Sequence, residues 1–154
     1  MKKLFILWAF IYSFASQAQT NIPSHEIYTR LLKRNVNATG KVDYKGFIRD
    51  SLELDNYLSL LSNHPPHKSW SRNDQMAYWI NAYNAFTIKL ITKYYPVKSI
   101  KDIGSSIQIP FVNTPWDIKF IPIGKDRYDL NNIEHGILRK KFADARIHMA
   151  LVCA

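Results

Sequence analysis

The chain has one cysteine, Cys153, and its thiol is the first candidate for chemistry. It ends a nearly unbroken apolar run over 147–153, a pattern typical of a strand buried on both faces. Enzymes with an α/β architecture often place a nucleophile at the end of such a strand. Inert cysteines occupy buried strands as well. The pattern therefore leaves two roles open for Cys153, a reactive thiol and an unreactive core residue.

A thiol nucleophile needs a base, and two histidines are considered for that role. His148 precedes Cys153 by five residues, and side chains five positions apart on a strand point to opposite faces. His148 is therefore not expected to be the base. His135 belongs to a separate predicted helix and can approach the thiol from elsewhere. We therefore take His135 as the candidate base.

Three further side chains could orient the imidazole of His135. Glu134 is its neighbour, and Asn81 and Asn84 supply amides from an earlier helix. A cysteine, a histidine and an orienting amide are the groups that thiol hydrolases use. The structural alternatives are an interior histidine with satisfied hydrogen bonds, a buried amide network that fixes helix packing, and a solvated acid facing the helix dipole.

Other kinds of site leave no signature in the sequence. It contains no phosphate-binding glycine loop, no zinc-spaced set of Cys and His, and no serine nucleophile elbow. His64 and His67 bracket two prolines and cannot share a helical face, so we expect exposed loop histidines there. The sequence predicts no cofactor and no metal.

The first residues have the pattern of a bacterial signal peptide. Lys2 and Lys3 precede an apolar run over 4–14 that is short for a membrane span, and small residues at Ser16 and Ala18 suit signal peptidase. We expect a leader over 1–18, a domain over 19–154, no stable membrane span after cleavage, and a periplasmic or secreted location. A retained N-terminal anchor is the alternative.

The composition suits one globular domain with a basic surface. The 154 residues are 47% hydrophobic, and the net charge is +9. A basic surface attracts anionic partners, but the basic residues are scattered and accompany no recognition motif for nucleic acid. We expect a small molecule, a peptide or a cell-envelope ligand, and no nucleic acid.

The candidate amides lie on a predicted central helix over 71–96. Ser71 can cap its first turn, with Asp74 three residues on, and Pro96 ends it. Apolar residues recur at helical spacing between these ends and form a wide face: Met76, Trp79, Ile80, Tyr83, Phe86, Leu90, Ile91 and Tyr94. A helix this apolar is expected at the centre of the domain, with Asn81 and Asn84 on its flank.

Other helices are predicted around this one. One begins at Ser24, and a second covers roughly 49–62 after a short extended piece at 42–44. A later helix, which carries His135, is capped by Asp129 and contains Gly136. A glycine inside a helix often indicates that a neighbour packs close to the backbone.

The predicted strands are few. Alternation over 116–120 favours a half-buried strand, and Gly124-Lys125-Asp126 favours a hairpin turn before Arg127 and Tyr128. The run over 147–153 adds a strand that has no partner, because only Ala154 follows it. We therefore expect an α+β fold, a helix-rich single domain with a small β-sheet, incomplete at its C-terminus.

Four segments resemble the domain of unknown function 547 family, which occurs in exported bacterial proteins and in larger eukaryotic chains. The matching segments are AYWINAYNAFTIKLITKYY (77–95), PVKSIKDIG (96–104), IEHGIL (133–138) and IHMALVCA (147–154). The resemblance implies no particular reaction. The family's characteristic positions correspond to Asn81, Asn84, Glu134, His135, His148 and Cys153.

The resemblance also implies a truncation. Family members continue past the cysteine with a serine, usually a second cysteine followed by proline, and a further helical segment. A third role for Cys153 follows, as half of a disulfide or thiol pair. We therefore consider three classes of protein: a thiol hydrolase or transferase with Cys153 and His135, a non-catalytic exported domain that binds a ligand or peptide, and a structural domain with a buried or disulfide-bonded cysteine.

Overall fold

The computed structural model describes residues 21–104 and 114–152. The leader predicted over 1–18 and the thiol of Cys153 lie outside these residues. The described chain is rich in helix and has one small hairpin, as expected for the predicted α+β class. Its elements are α1 (Glu26–Asn35), α2 (Tyr44–Arg49), α3 (Ser51–Asn63), α4 (Arg72–Tyr94), β1 (Ile121–Ile123), β2 (Asp126–Tyr128), a π-helix (Asn132–Phe142) and α5 (Arg146–Ala150).

The predicted central helix is α4. Its N-terminus is capped as expected, because the Ser71 hydroxyl oxygen accepts a hydrogen bond from the Asp74 backbone N–H at 3.1 Å. It ends at Tyr94, two residues before Pro96. The buried residues of α4 pack against the π-helix and against α2 and α3: Tyr78, Trp79, Ala82, Tyr83, Ala85, Phe86, Thr87, Ile88, Leu90 and Ile91.

The first three helices pack against one another, and α2 and α3 also pack against α4. The helix predicted over 49–62 is α3, and a separate helix, α2, precedes it and begins at the last residue of the extended piece predicted at 42–44. At the start of that piece Val42 forms an isolated antiparallel bridge with Val36. The rings of Tyr28 and Tyr57 stack between α1 and α3, with centroids 5.0 Å apart.

A close contact joins α1 to α2. Asn35 is buried, and its side-chain amide donates to the Leu31 carbonyl at 3.1 Å and to the Asp50 carboxylate at 2.9 Å. Gly46 lies against it, and a Cβ on Gly46 would be only 1.9 Å from Asn35 Oδ1. Glycine at position 46 therefore allows α2 to approach α1.

The hairpin forms where its turn was predicted. Ile121 pairs with Tyr128, and Gly124 in the turn has φ +62°. The strand predicted over 116–120 is wrong. Pro115–Asp117 is a 3₁₀ turn, because the Asp117 carboxylate accepts from the Thr114 backbone N–H at 2.9 Å and closes the chain into a capped turn.

The predicted helix after Asp129 is present, with π-helical hydrogen bonding over Asn132–Phe142. The Asp129 carboxylate accepts from the Asn132 backbone N–H at 2.6 Å, so its predicted capping role is confirmed. The expectation of close packing at Gly136 is wrong, since a Cβ there would meet no described atom within 4 Å. Arg72 of α4 donates to the Phe142 carbonyl and holds the end of the π-helix.

The strand predicted over 147–153 is also wrong for its described part. Residues Arg146–Ala150 form α5, and the buried positions are Ile147 and Leu151, four residues apart. Met149 is 87% exposed, so the run is covered on one face only. This spacing of buried residues is that of a helix lying on a surface.

Within residues 21–104 and 114–152 no helix is both long and apolar enough to cross a bilayer.

Candidate functional site

Asn84 holds the segment that leads towards Cys153. Its side-chain amide donates to the Ala150 carbonyl at 2.9 Å, and its Oδ1 accepts from the Val152 backbone N–H at 2.9 Å. The amide therefore pairs with the backbone at the end of α5 in the way a neighbouring strand would. Asn84 lies at the middle of α4, whose packing fixes its position.

Glu134 is the buried acid of this region, with 8% of the residue exposed. The alternative that it is a solvated acid at a helix start is therefore wrong. Arg139 donates to Glu134 Oε1 at 2.6 Å. These residues are five apart, and a π-helix brings such pairs together because its hydrogen bonds run from i to i+5. The irregular helix thus forms the ion pair.

His148 lies next to this ion pair. The Arg139 guanidinium is 3.4 Å from His148 Nδ1, a long hydrogen bond in which the arginine must be the donor. Nδ1 then accepts, and a neutral His148 carries its proton on Nε2. The sequence argument against His148 as a base assumed a strand, and residues 146–150 form a helix instead. The structure supplies a different argument, because the contact with Arg139 occupies Nδ1, the nitrogen that would accept the proton.

His135 and Asn81 are placed less closely. His135 is exposed on the π-helix and makes no hydrogen bond with another residue of the described ranges, so it is not the interior histidine of the structural alternative. Asn81 is half-buried on α4. Cys153 lies outside the described residues, and with it any contact between its thiol and His135. Among the predicted site residues, the structure links Asn84 to α5 directly, and Glu134 to His148 through Arg139.

Glu134, Arg139 and His148 form a polar cluster, and Arg139 is the member that the sequence did not indicate. In a regular helix residues 134 and 139 lie on different faces, since five residues make 1.4 turns. The only signal in the sequence is the basic run Arg139-Lys140-Lys141, which does not distinguish the arginine from its neighbours.

Two grooves flank α5. One, of about 240 Å³, is lined by Arg139, Ala143, Asp144, Ala145, Ile147 and His148. The other, of about 310 Å³, has a mostly apolar lining of Met76, Ile80, Ile147 and Ala150, with Asn73, Asp144 and Arg146.

Asp144 stands between these grooves and is fully paired. Its carboxylate accepts from the Arg146 backbone N–H and Nε, each at 3.0 Å, and from Arg146 Nη2 at 2.7 Å. Hydrogen bonds from Arg146 lower the pKa of Asp144 to about 2. The carboxylate is therefore ionised, and Arg146 balances its charge.

Within 21–104 and 114–152 no three His, Cys, Asp or Glu side chains are grouped closely enough to hold a metal ion.

The fold and these contacts define a helix-rich α+β domain whose polar site lies between α4, the π-helix and α5. Residues 67–154, which contain the whole of this site, match the family described as Protein of unknown function, DUF547. The match covers more than half of the chain, so the protein belongs to this family. No curated protein and no solved structure shows significant similarity to the chain.

Proposed function

We propose that this protein is an exported thiol enzyme, a hydrolase or acyltransferase, with Cys153 as nucleophile and His135 as base. The observation that supports this most is the pair of hydrogen bonds between Asn84 and the backbone, in which its side-chain amide donates to the Ala150 carbonyl and its Oδ1 accepts from the Val152 N–H. They attach the residues just before the thiol to the central helix. Such positioning matters in catalysis because small misplacements of a reacting group cost large factors in rate.

The proposed reaction has two steps. His135 takes the proton of the Cys153 thiol, and the thiolate attacks the carbonyl carbon of an ester or amide. A C–S bond forms, the bond to the leaving oxygen or nitrogen breaks, and His135 returns the proton to the leaving group. Water or a second nucleophile then attacks the thioester and gives its proton to His135, which returns it to the released thiolate.

The assignment of the base to His135 is supported by the state of the two histidines. His148 already accepts from Arg139 at Nδ1. His135 is exposed and has no hydrogen bond with another described residue, so neither nitrogen is committed within that part of the chain. A general base needs a nitrogen that is free to accept the proton, and His135 offers one.

Acetylation by p-nitrophenyl acetate tests the nucleophile and the base together. We expect a burst of nitrophenolate and an acetyl adduct that maps to Cys153 by mass spectrometry. Cys153→Ser should abolish the adduct, and His135→Ala should slow its formation by about 100-fold. His67→Ala is the matched control, because His67 is an exposed loop histidine whose ring contacts Ser69 of the same loop.

Equal acetylation rates in His135→Ala and His67→Ala would contradict the assignment of the base. An adduct on another residue would contradict that of the nucleophile.

A second function, peptide binding without catalysis, is favoured by the exposed apolar surface beside the site. The groove of about 310 Å³ has a mostly apolar lining that includes Met76, Ile80 and Ile147. An exposed apolar groove suits the side chains of an extended peptide. This function is supported over the enzyme if an apolar peptide binds saturably, Met76→Ser weakens that binding, and no ester acylates the chain.

Export is proposed from the leader pattern alone. N-terminal sequencing of the protein from the producing cell should begin at Gln19, after cleavage behind Ala18. A chain that retains Met1 would contradict cleavage.

A further inference from the structure

The groove of about 240 Å³ at the end of the π-helix has two hydrogen-bond donors of defined orientation. Arg139 and His148 both line it. Glu134, which is almost fully buried, anchors Arg139 through a single 2.6 Å hydrogen bond. The arginine is therefore fixed at one edge of its guanidinium, while 48% of its side chain stays exposed.

The same contacts fix what these side chains present to a ligand. A guanidinium has five N–H donors, and the contacts with Glu134 and His148 both use Nη2. Because His148 Nδ1 accepts from Arg139, the neutral imidazole carries its hydrogen on Nε2. Both side chains thus keep N–H donors for a ligand and, in this state, have no acceptor free.

Among the described residues that line this groove, Asp144 is the acidic one, and it does not compete for these donors. Asp144 is bound by Arg146 through its backbone N–H, Nε and Nη2. Lys140 and Lys141 follow Arg139 in the sequence and make the surroundings basic.

We propose that Arg139 and His148 bind the oxyanion of a ligand, a carboxylate or a phosphate group, in the groove between the π-helix and α5. The contacts with Glu134 and His148 leave the Nε–H and Nη1–H donors of Arg139 free to bind the oxyanion, and the Nε2–H of His148 is a further donor in the same groove. The inference does not require Cys153 to be a nucleophile. If both proposals hold, the oxyanion belongs to the substrate, and the enzyme acts on anionic acyl compounds.

Titration of the full chain with inorganic phosphate and, separately, with acetate tests this proposal. Nitrogen-15 spectra of the histidine side chains follow the binding and report the tautomer of His148 directly. We expect saturable binding with a proton on Nε2. The tighter of the two anions identifies the group on the natural ligand.

Variants separate a built site from general surface charge. Arg139→Gln should weaken binding by about tenfold or more, as expected for a charged hydrogen bond. Lys140→Gln, which removes the same charge from the next residue, should change binding by less than about twofold. Because Arg139→Gln leaves Glu134 without its partner, His148→Ala serves as a second variant that keeps the ion pair, and it should also weaken binding.

The outcomes are distinct from those of the acylation experiment, because anion binding is measured without an ester and without use of the thiol. The proposal is overturned if neither anion binds saturably, if Lys140→Gln weakens binding as much as Arg139→Gln, or if His148→Ala leaves binding unchanged.

Discussion

Replacement of Gly46 by alanine should destabilise the protein, although helix propensity alone predicts the opposite. Gly46 lies within α2, where alanine is normally favoured by about 1 kcal/mol. The added Cβ would lie 1.9 Å from Asn35 Oδ1 and 2.9 Å from Asn35 Cγ. No carbon and oxygen atoms approach so closely without bonding, so either Asn35 or α2 has to move.

The cost follows from what holds Asn35. A buried side chain that is forced to repack costs about 1–3 kcal/mol. If Asn35 rotates away, it also loses its 2.9 Å hydrogen bond to the Asp50 carboxylate, worth about 1–2 kcal/mol at a partly buried site. After the gain in helix propensity is subtracted, Gly46→Ala should lower the free energy of unfolding by about 1–4 kcal/mol.

Urea unfolding followed by circular dichroism measures this change, and two controls test its cause. Gly136→Ala in the π-helix meets no described atom within 4 Å, so it should be neutral or stabilising by up to about 1 kcal/mol. In an Asn35→Ala background the clash with Asn35 is absent, and only the exposed carboxylate of Asp43, whose Oδ2 would lie 2.9 Å from the added Cβ, has to shift, so Gly46→Ala should cost close to nothing. The double-mutant cycle should therefore give a coupling energy of about 2 kcal/mol. Stabilisation by Gly46→Ala, or an equal cost in the Asn35→Ala background, would refute the packing argument.

Three further changes give measurable effects. Asn84→Ala removes two hydrogen bonds to α5 and its following residues, so the Val152 amide should exchange with deuterium about fivefold faster; an unchanged rate would show that the tether contributes nothing. Burial lowers the pKa of His25, which shares a 2.7 Å hydrogen bond with Tyr57, below its ordinary 6.5. Because the unfolded chain then binds the proton more readily, stability should fall as the pH drops below 6.5 towards the folded pKa. His25→Gln should flatten that slope in thermal melts, and a slope as steep as that of the wild type would contradict the assignment to His25. Arg72→Met loses the hydrogen bond to the end of the π-helix and should lower the free energy of unfolding by about 1–2 kcal/mol in urea, whereas a change below about 0.5 kcal/mol would indicate a solvated carbonyl.

Elements with local signals were predictable from the sequence. Ser71 and Pro96 set the ends of α4. Gly124 sets the hairpin turn, because its backbone has a positive φ, which glycine adopts without strain. Each of these signals acts within a few residues, so it can be read without knowledge of the tertiary structure.

The segment after residue 146 was mispredicted because a short apolar run does not distinguish a buried strand from a helix. Tertiary packing decides the matter, since it covers Ile147 and Leu151 and leaves Met149 in solvent. No periodicity within five or six residues contains that information.

The contacts of the candidate site residues were less predictable than the elements that carry them. Asn84 binds the backbone after α5 and Glu134 pairs with Arg139, and the role of both residues beside a reactive thiol stays a prediction. Arg139 could not be predicted, because its pairing with Glu134 depends on a π-helix, and a pattern of 3.6 residues per turn places the two on different faces. The state of His148 follows from that unexpected arginine.

The most direct test of the proposed enzyme is the rate at which Cys153 is alkylated as a function of pH. The full chain is treated with iodoacetamide as wild type, His135→Ala and the His67→Ala control. A free thiol titrates near pH 8.5, whereas a thiol paired with histidine reacts well below pH 7. We predict a midpoint below about pH 7 in the wild type and in His67→Ala, and a midpoint near the free value in His135→Ala. A wild-type midpoint near 8.5 that His135→Ala leaves unchanged would contradict the thiol enzyme, and alkylation only after reduction would identify Cys153 as part of a disulfide.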